Sequence, residues 1–567
     1  MRARNFSLNY NIYTPVTLWE DFDSGQPLDV TVVREQKNEG IYVRELYFSG
    51  RQTPAGRPRI FAAVGAPEGA VNPPCLVIAG DVGRGPASDL INFFCSQGFA
   101  AICFDYCGER PKGRFTLYPE SISYANYARA GRNYGHCDAT AKQNCWYEWT
   151  GAARYAVSLA NELFPNSPVG VLGVRMGGLI AWHLAASDSR VCAAVSLFYA
   201  GWERYRGVSH GQPLSAVAMS EEMQRYLAGI AGESYAAHVR VPFLFLASTN
   251  DDCTPMDRAY DTLSRVPAGV PLVYAFSPRF SGLLGDMSSR CMRTFLKSYV
   301  AGESVKLPRP PKASLERTAD GCTLRVWTDP EHEVEDARIF YSLPSESPMR
   351  RDWTKLKLHR AENGGFEALL SPACGVSEII AFPHITHAGG FTLSGTPIEQ
   401  YDIDFGASCR TTGKIIYQSA MGEDSFTSFL IDGPQFLPEM FLGESAVTME
   451  EGPLGIKGIA THYGALATYK VGAQPYRAAE DSLLRFDIHS AQPQKLEVYL
   501  FDGPGTENRR RYRAEFSLLG GDIWQPITCR STEFKAEDGI ALKSFASLSM
   551  IAFRADGRVL LNNMLWV

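Results

Sequence analysis

Between residues 75 and 300 the chain repeats one pattern that leaves few folds open to it: an unbroken apolar run, then a helical stretch. The runs are CLVIAG at 75–80, AAICFDY at 100–106, PVGVLGV at 168–174, VCAAVSLFY at 191–199, FLFLAST at 243–249 and PLVYAFS at 271–277. A strand with one wet face alternates apolar and polar residues, whereas a strand apolar at every position is covered on both faces. Stretches such as WYEWTGAARYAVSLANELF at 146–164 and GLIAWHLAA at 178–186 supply helical covers. The pattern predicts an α/β fold, a doubly wound parallel sheet. Ahead of it, IYVRELYF and RIFAAVGAP alternate, which predicts an antiparallel extension of the same sheet.

The period changes after residue 316. Residues 302–316, GESVKLPRPPKASLE, are rich in proline and charge and read as a linker. Beyond them come short alternating strands with turn signals: CTLRVWT, ARIFYSL, GGFEALL and EIIAFPHI. That spacing predicts a small immunoglobulin- or fibronectin-like β-sandwich over 317–402. From 403 onward, KIIYQS, LLRFDIHS, KLEVYLFD and VLLNNMLWV predict a second, larger all-β sandwich. A chain of 567 residues exceeds one core and fits three domains, here 1–304, 317–402 and 403–567.

Composition narrows the class. A hydrophobic content of 45% with 20% charged residues describes a globular chain, and the net charge of −6 speaks against nucleic acid as a partner. No apolar run approaches the roughly 20 residues that span a bilayer, and MRARNFSLNYNIYTP lacks the apolar segment of a secretory signal. The thirteen cysteines include no C-x-x-C pair. They read as reduced thiols in a cytoplasmic protein, with neither zinc nor a disulfide framework. No metal and no cofactor is expected.

The stretch VLGVRMGG at 171–178 carries the chemistry. Strand, Gly-x-?-x-Gly, helix is the frame of a nucleophile elbow, whose middle residue is ordinarily serine. Here the middle residue is Arg175, and a guanidinium is neither deprotonated near neutral pH nor nucleophilic.

CLVIAG with its GDVG loop, FDYCGE, GVRMGG and STNDDCTP, in that order, make residues 40–300 resemble an α/β-hydrolase of the dienelactone hydrolase and acetylxylan esterase type. The resemblance puts the nucleophile position on Arg175 and the acid on Asp251, with Asp252 as an alternative. It puts the oxyanion donors on the backbone N–H groups of Met176 and of the loop at Asp81 and Val82. Its histidine belongs in SPRFSGLLGDM at 277–287, which has none and offers Arg279 and Ser281 instead. The resemblance therefore implies an esterase scaffold with a degenerate triad. Arg175 is expected to pair with Asp251 or Asp252, or else to face an anionic ligand in an open pocket.

Other residues are weighed for the missing roles. His136, His183, His210 and His238 are the histidines of the first part, and Cys107 and Cys253 are thiols at strand ends. His183, inside a helix, reads as a packed residue. His384 and His387, three apart in a strand context, fall on opposite faces and form no chelate. The run RRRYR at 509–513 reads as a solvated strand end, and GDVGRGPAS lacks the dinucleotide spacing. In WQPI and NNMLWV the last segment resembles galactose-binding-like carbohydrate-binding jelly rolls. Its expected ligand-facing residues are His462, Tyr463, Tyr469 and Trp524, with Tyr476 a further candidate and Trp566 in the core. The expected function is a catalytically degenerate, esterase-like protein associated with carbohydrate. The alternatives are an active carbohydrate esterase using other residues, or a structural or assembly subunit. A carbohydrate ligand is expected rather than nucleic acid or membrane, and the reading leaves room for a homo-oligomer.

Overall fold

The computed structural model describes residues 12–567 except 131–134, 136, 202–219, 252–253, 281, 319–320, 344–349, 363, 371–377, 402–413, 434–439, 444–445 and 504–509. His136, His210, Asp252, Cys253 and Ser281 lie outside the described residues.

The apolar runs become the strands of one nine-stranded sheet. Its strands are β1 (Thr31–Asn38), β2 (Ile41–Ser49), β3 (Arg59–Pro67), β4 (Cys75–Ala79), β5 (Ala100–Phe104), β6 (Val169–Val174), β7 (Val191–Leu197), β8 (Phe243–Ser248) and β9 (Leu272–Ser277). The order is β1-β2-β3-β5-β4-β6-β7-β8-β9. The first three strands run antiparallel to one another, and β3 is antiparallel to β5. From β5 to β9 every pairing is parallel. Every residue of β4, β5, β6 and β8 is buried, as continuous apolar strands require. Helices Ser88–Cys95, Cys145–Leu163, Gly178–Ser187 and Asp286–Tyr299 cover the faces. The longest starts where Asn144 accepts the N–H of Trp146 at 2.8 Å, a side-chain cap for an otherwise unsatisfied donor.

Among the described residues, every element after Tyr299 is a strand or a short 3₁₀ turn. A four-stranded sheet and a five-stranded sheet bury Leu324, Val326, Ile339, Phe366, Ile379 and Ile385 in one shared cluster. Two six-stranded sheets then close over another cluster, which holds Tyr417, Phe486, Val498, Phe553 and Trp566.

The stretch read as a linker is not wholly a tether. Lys312–Thr318 is a strand, paired along its length with Gly321–Trp327. The units on either side are also fused. Phe340, Trp353, Phe382, Phe391 and Leu393 belong to the same buried cluster as the nine-stranded sheet. The Phe276 and Phe382 rings lie 6.5 Å apart. Cys291 Sγ donates to the Thr392 carbonyl at 2.9 Å and accepts its N–H at 3.0 Å. Edge strand β9 thus lies under the five-stranded sheet, and an edge that would offer unpaired backbone groups is covered.

Candidate functional site

The loops after β4, β6, β7, β8 and β9 meet at the carboxyl edge of the sheet, the edge where open α/β sheets place ligands. The turn after β6 is tight. A Cβ on Gly177 would stand 2.3 Å from the carbonyl oxygens of Ala79 and Gly80, and one on Gly173 would stand 2.3 Å from the Gly177 oxygen. Those glycines let the turn press against the end of β4, which brings the Met176 N–H beside the loop at Asp81.

Three non-glycine residues at this edge have left-handed backbones: Arg175 at φ 52°, Phe198 at φ 62° and Arg279 at φ 70°. Each conformation costs on the order of 1–2 kcal/mol for a residue with a Cβ. Such strain, held by surrounding packing, collects at functional sites. The elbow keeps its strained geometry although its middle residue is an arginine.

The Arg175 guanidinium lies over the Phe198 ring, 5.6 Å from its centre, and its charge acts on Asp81. Asp251 is buried, and its Oδ1 accepts the Thr254 N–H at 2.7 Å. The Thr254 hydroxyl in turn donates to the Phe198 carbonyl at 2.5 Å. These contacts fix Asp251 in its own turn, as an acid-bearing loop requires.

Sequence reasoning took the loop at Asp81 only as a source of backbone donors. In the structure the Asp81 side chain turns back onto them. Its Oδ1 accepts the N–H of Val82 at 2.9 Å and the N–H of Met176 at 3.3 Å. The two N–H groups expected as oxyanion donors are filled by the chain's own carboxyl oxygen. Burial lifts the Asp81 carboxyl above its ordinary range, against the opposing pull of the Arg175 charge and the two N–H groups. An acidic residue directly after the strand's terminal glycine was the signal that could have been read.

Among the described residues the remaining candidates for chemistry do not converge. His183 is fully buried. Its Nε2 meets the Ile230 carbonyl at 2.6 Å and its Nδ1 meets the Thr150 hydroxyl at 2.7 Å. A carbonyl only accepts, so Nε2 carries the proton and Nδ1 accepts from Thr150. Burial drives this imidazole down to about 3, and it stays neutral. His238 lies between helix Gly232–Ala236 and β8, at the opposite edge of the sheet. Cys107 accepts the Gly83 N–H at 3.2 Å, and burial raises its thiol far above the usual value. It is a protonated packing residue rather than a nucleophile.

Arg279, in the segment where a histidine was expected, leaves the pocket. Its N–H donates to the Thr249 hydroxyl at 2.7 Å, and its guanidinium donates to the Asp424 carbonyl and lies 3.6 Å from the Asp424 carboxylate. Lys355 meets the same carboxylate at 3.0 Å, and Asn250 donates to the Arg351 carbonyl at 2.8 Å. Leu284 and Gly285 pair in parallel with Phe441 and Leu442. The carboxyl edge is therefore a junction of all three parts of the chain.

The four residues expected to face a sugar are not gathered in one place. Tyr469 is 3% exposed, packed among Phe429, Tyr499 and Phe501, so it is a core residue with no free ring face. Trp524 lies flat on backbone at one end of strand Lys457–Thr461, where a Cβ on Gly452 or Gly458 would come within 2.7 Å of the indole. His462 and Tyr463 follow the other end of that strand. His462 Nδ1 accepts from Arg558 at 3.1 Å, and Tyr463 is 51% exposed. The pattern of small and aromatic residues showed that rings pack here, but not which face they turn. Tyr476 receives the Lys470 ammonium 4.2 Å from its ring centre. His384 and His387 are both buried. No group of metal-ligating side chains occurs among the described residues, and none of their helices is long and apolar enough to cross a membrane.

Solved structures similar to the first half include esterases. An acetyl xylan esterase from Paenibacillus sp. R4 matches at 17% identity and a TM-score of 0.38, covering 50% of this chain and 92% of that one. Acetyl xylan esterase 1 from Thermoanaerobacterium sp. JW/SL YS485 matches at 14% identity and 0.37, again over 50% and 92%. An esterase from Pyrococcus furiosus matches at 13% identity and 0.28, over 51% and 96%. No family model and no curated protein matches the chain.

Proposed function

We propose that the protein is a non-hydrolytic, esterase-like scaffold of the α/β-hydrolase type that carries two β-sandwich units and serves carbohydrate recognition. One observation carries the non-hydrolytic part: Asp81 Oδ1 holds the N–H groups of both Val82 and Met176. Acyl transfer needs such donors free to stabilise the negative charge that develops on the carbonyl oxygen. An oxygen already seated there excludes the substrate carbonyl. Arg175 in place of a nucleophile and the buried Cys107 thiol agree with this reading.

The test is turnover of p-nitrophenyl acetate together with labelling by a fluorophosphonate. The wild-type protein is expected to give neither turnover above buffer nor a covalent adduct. Arg175→Ser, alone or combined with Asp81→Ala, is expected to stay inactive, because among the described residues no histidine stands ready to take the serine proton. Stoichiometric labelling of any serine or cysteine between residues 40 and 300 of the wild type would overturn the proposal.

A further inference from the structure

Arg510, Arg511 and Arg513, from the run read in the sequence as a solvated strand end, line an open groove. The groove has a volume of about 1020 Å³ and runs over the outer face of the sheet built from Gln494–Asp502, Arg510–Leu518, Lys535–Ala536 and Leu548–Ala555. Strand alternation decides which residues face it. Tyr512 and Ala536 turn into the core between the two sheets, so their neighbours Arg511, Arg513 and Lys535 turn outward. Register sets Arg513 directly beside Tyr499 on one side and beside Lys535 on the other. A basic strip therefore edges the groove.

The groove floor is already satisfied. Arg554 donates to Glu497 at 2.6 Å and to the Tyr499 hydroxyl at 2.5 Å, and Arg513 is ion-paired with Glu497 and Glu515. Arg511 and Lys535 differ from these. Both are exposed. Arg511 lies 5.8 Å from the centre of the Tyr499 ring, and among the described residues neither cation has a carboxylate within ion-pair distance. The same groove is lined by Glu537, by Asp538, which Arg510 pairs with, and by Asp432, which lies 3.3 Å from Arg554.

We propose that this groove binds an acidic polysaccharide, a chain whose sugar rings carry carboxylates. Arg511 and Lys535 would take the ring carboxylates, a guanidinium being the planar partner that a carboxylate fits. Asp432, Glu537 and Asp538 would accept from the hydroxyls. Interleaved acceptors of this kind suit a ligand rich in hydroxyls, which a polyphosphate backbone does not bring. Among the described residues no exposed ring in the groove offers a stacking platform, so the binding is electrostatic and weakens as salt screens it. The proposal rests on the carbohydrate reading above and names the ligand class for it.

The test is affinity electrophoresis of the full-length protein in gels containing polygalacturonate, the same polymer fully methyl-esterified, neutral xylan, or a DNA duplex. Retardation by polygalacturonate is expected, about tenfold stronger than by the esterified polymer and lost at high salt. Arg511→Glu with Lys535→Glu should abolish it at an unchanged melting temperature, Arg511→Lys should retain part of it, and Trp524→Ala should leave it intact. Equal retardation by the esterified polymer, equal or greater retardation by DNA, or retention by the double variant would overturn the proposal. Binding to xylan alone would overturn the groove while sparing the carbohydrate reading. Absence of binding to every glycan would end both.

Discussion

Asp81 shows how one side chain can close a site without disturbing the fold around it. The backbone donors of Val82 and Met176 do not depend on side-chain identity, and what changed is the oxygen they meet. The Asp81 carboxyl has a folded-state pKa above 3.8, with burial as the largest cause. The fold therefore favours the protonated form. Its contribution to stability is full below the unfolded value and is lost as the pH rises through the raised folded value. Asp81→Asn keeps an acceptor oxygen and removes the titration. Relative to wild type, this variant should gain stability as the pH climbs from the ordinary carboxylate range through the raised folded value of Asp81. Urea midpoints across that range are the measurement, and a pH-independent difference would refute the account.

At the scale of elements, the turn between β6 and helix Gly178–Ser187 is fixed by close backbone approach. A methyl group on Gly177 meets carbonyl oxygens at 2.3 Å, and backbone cannot give way as a flexible side chain can. Gly177→Ala should cost roughly 3 kcal/mol, read as a shift in the urea midpoint. Gly269 has no heavy atom within 4 Å of an added Cβ. Its replacement by alanine should fall within about 0.5 kcal/mol of wild type. Equal costs at the two sites would show that close approach does not govern the turn. The same geometry explains why a strained elbow persists without a serine: the glycines, not the nucleophile, set its shape.

At the scale of the whole molecule, the β-rich half is structural cover for the first half. Phe382 is fully buried against the nine-stranded sheet, and Phe280 and Leu283 pack with Leu442 and Ala446. A chain ending at residue 304 would expose these surfaces and uncover edge strand β9. Such a fragment is expected to be insoluble, or to bind a hydrophobic dye and melt without cooperativity. Recovery of a soluble fragment with a cooperative transition at the full-length temperature would show the three parts to be independent.

Much of this architecture was legible in the chain. Strands buried on both faces are written as unbroken apolar runs, because their residues meet nonpolar neighbours, and so β4 to β9 could be placed to within one or two residues at their ends. The change to alternation after residue 316 announced antiparallel sheets for the same local reason. Arg175 at the elbow was visible too, since strand, turn and helix occupy one short stretch. Contacts between distant residues were not legible. Nothing in GDVG says that Asp81 turns back onto Met176, 95 positions away. Nothing around Tyr469 says that Tyr499 and Phe501 bury its ring. The proline-rich stretch could not reveal that its neighbours share a core. Local pattern determines which residues want cover, but only the tertiary structure decides which surface, and which donor, provides it.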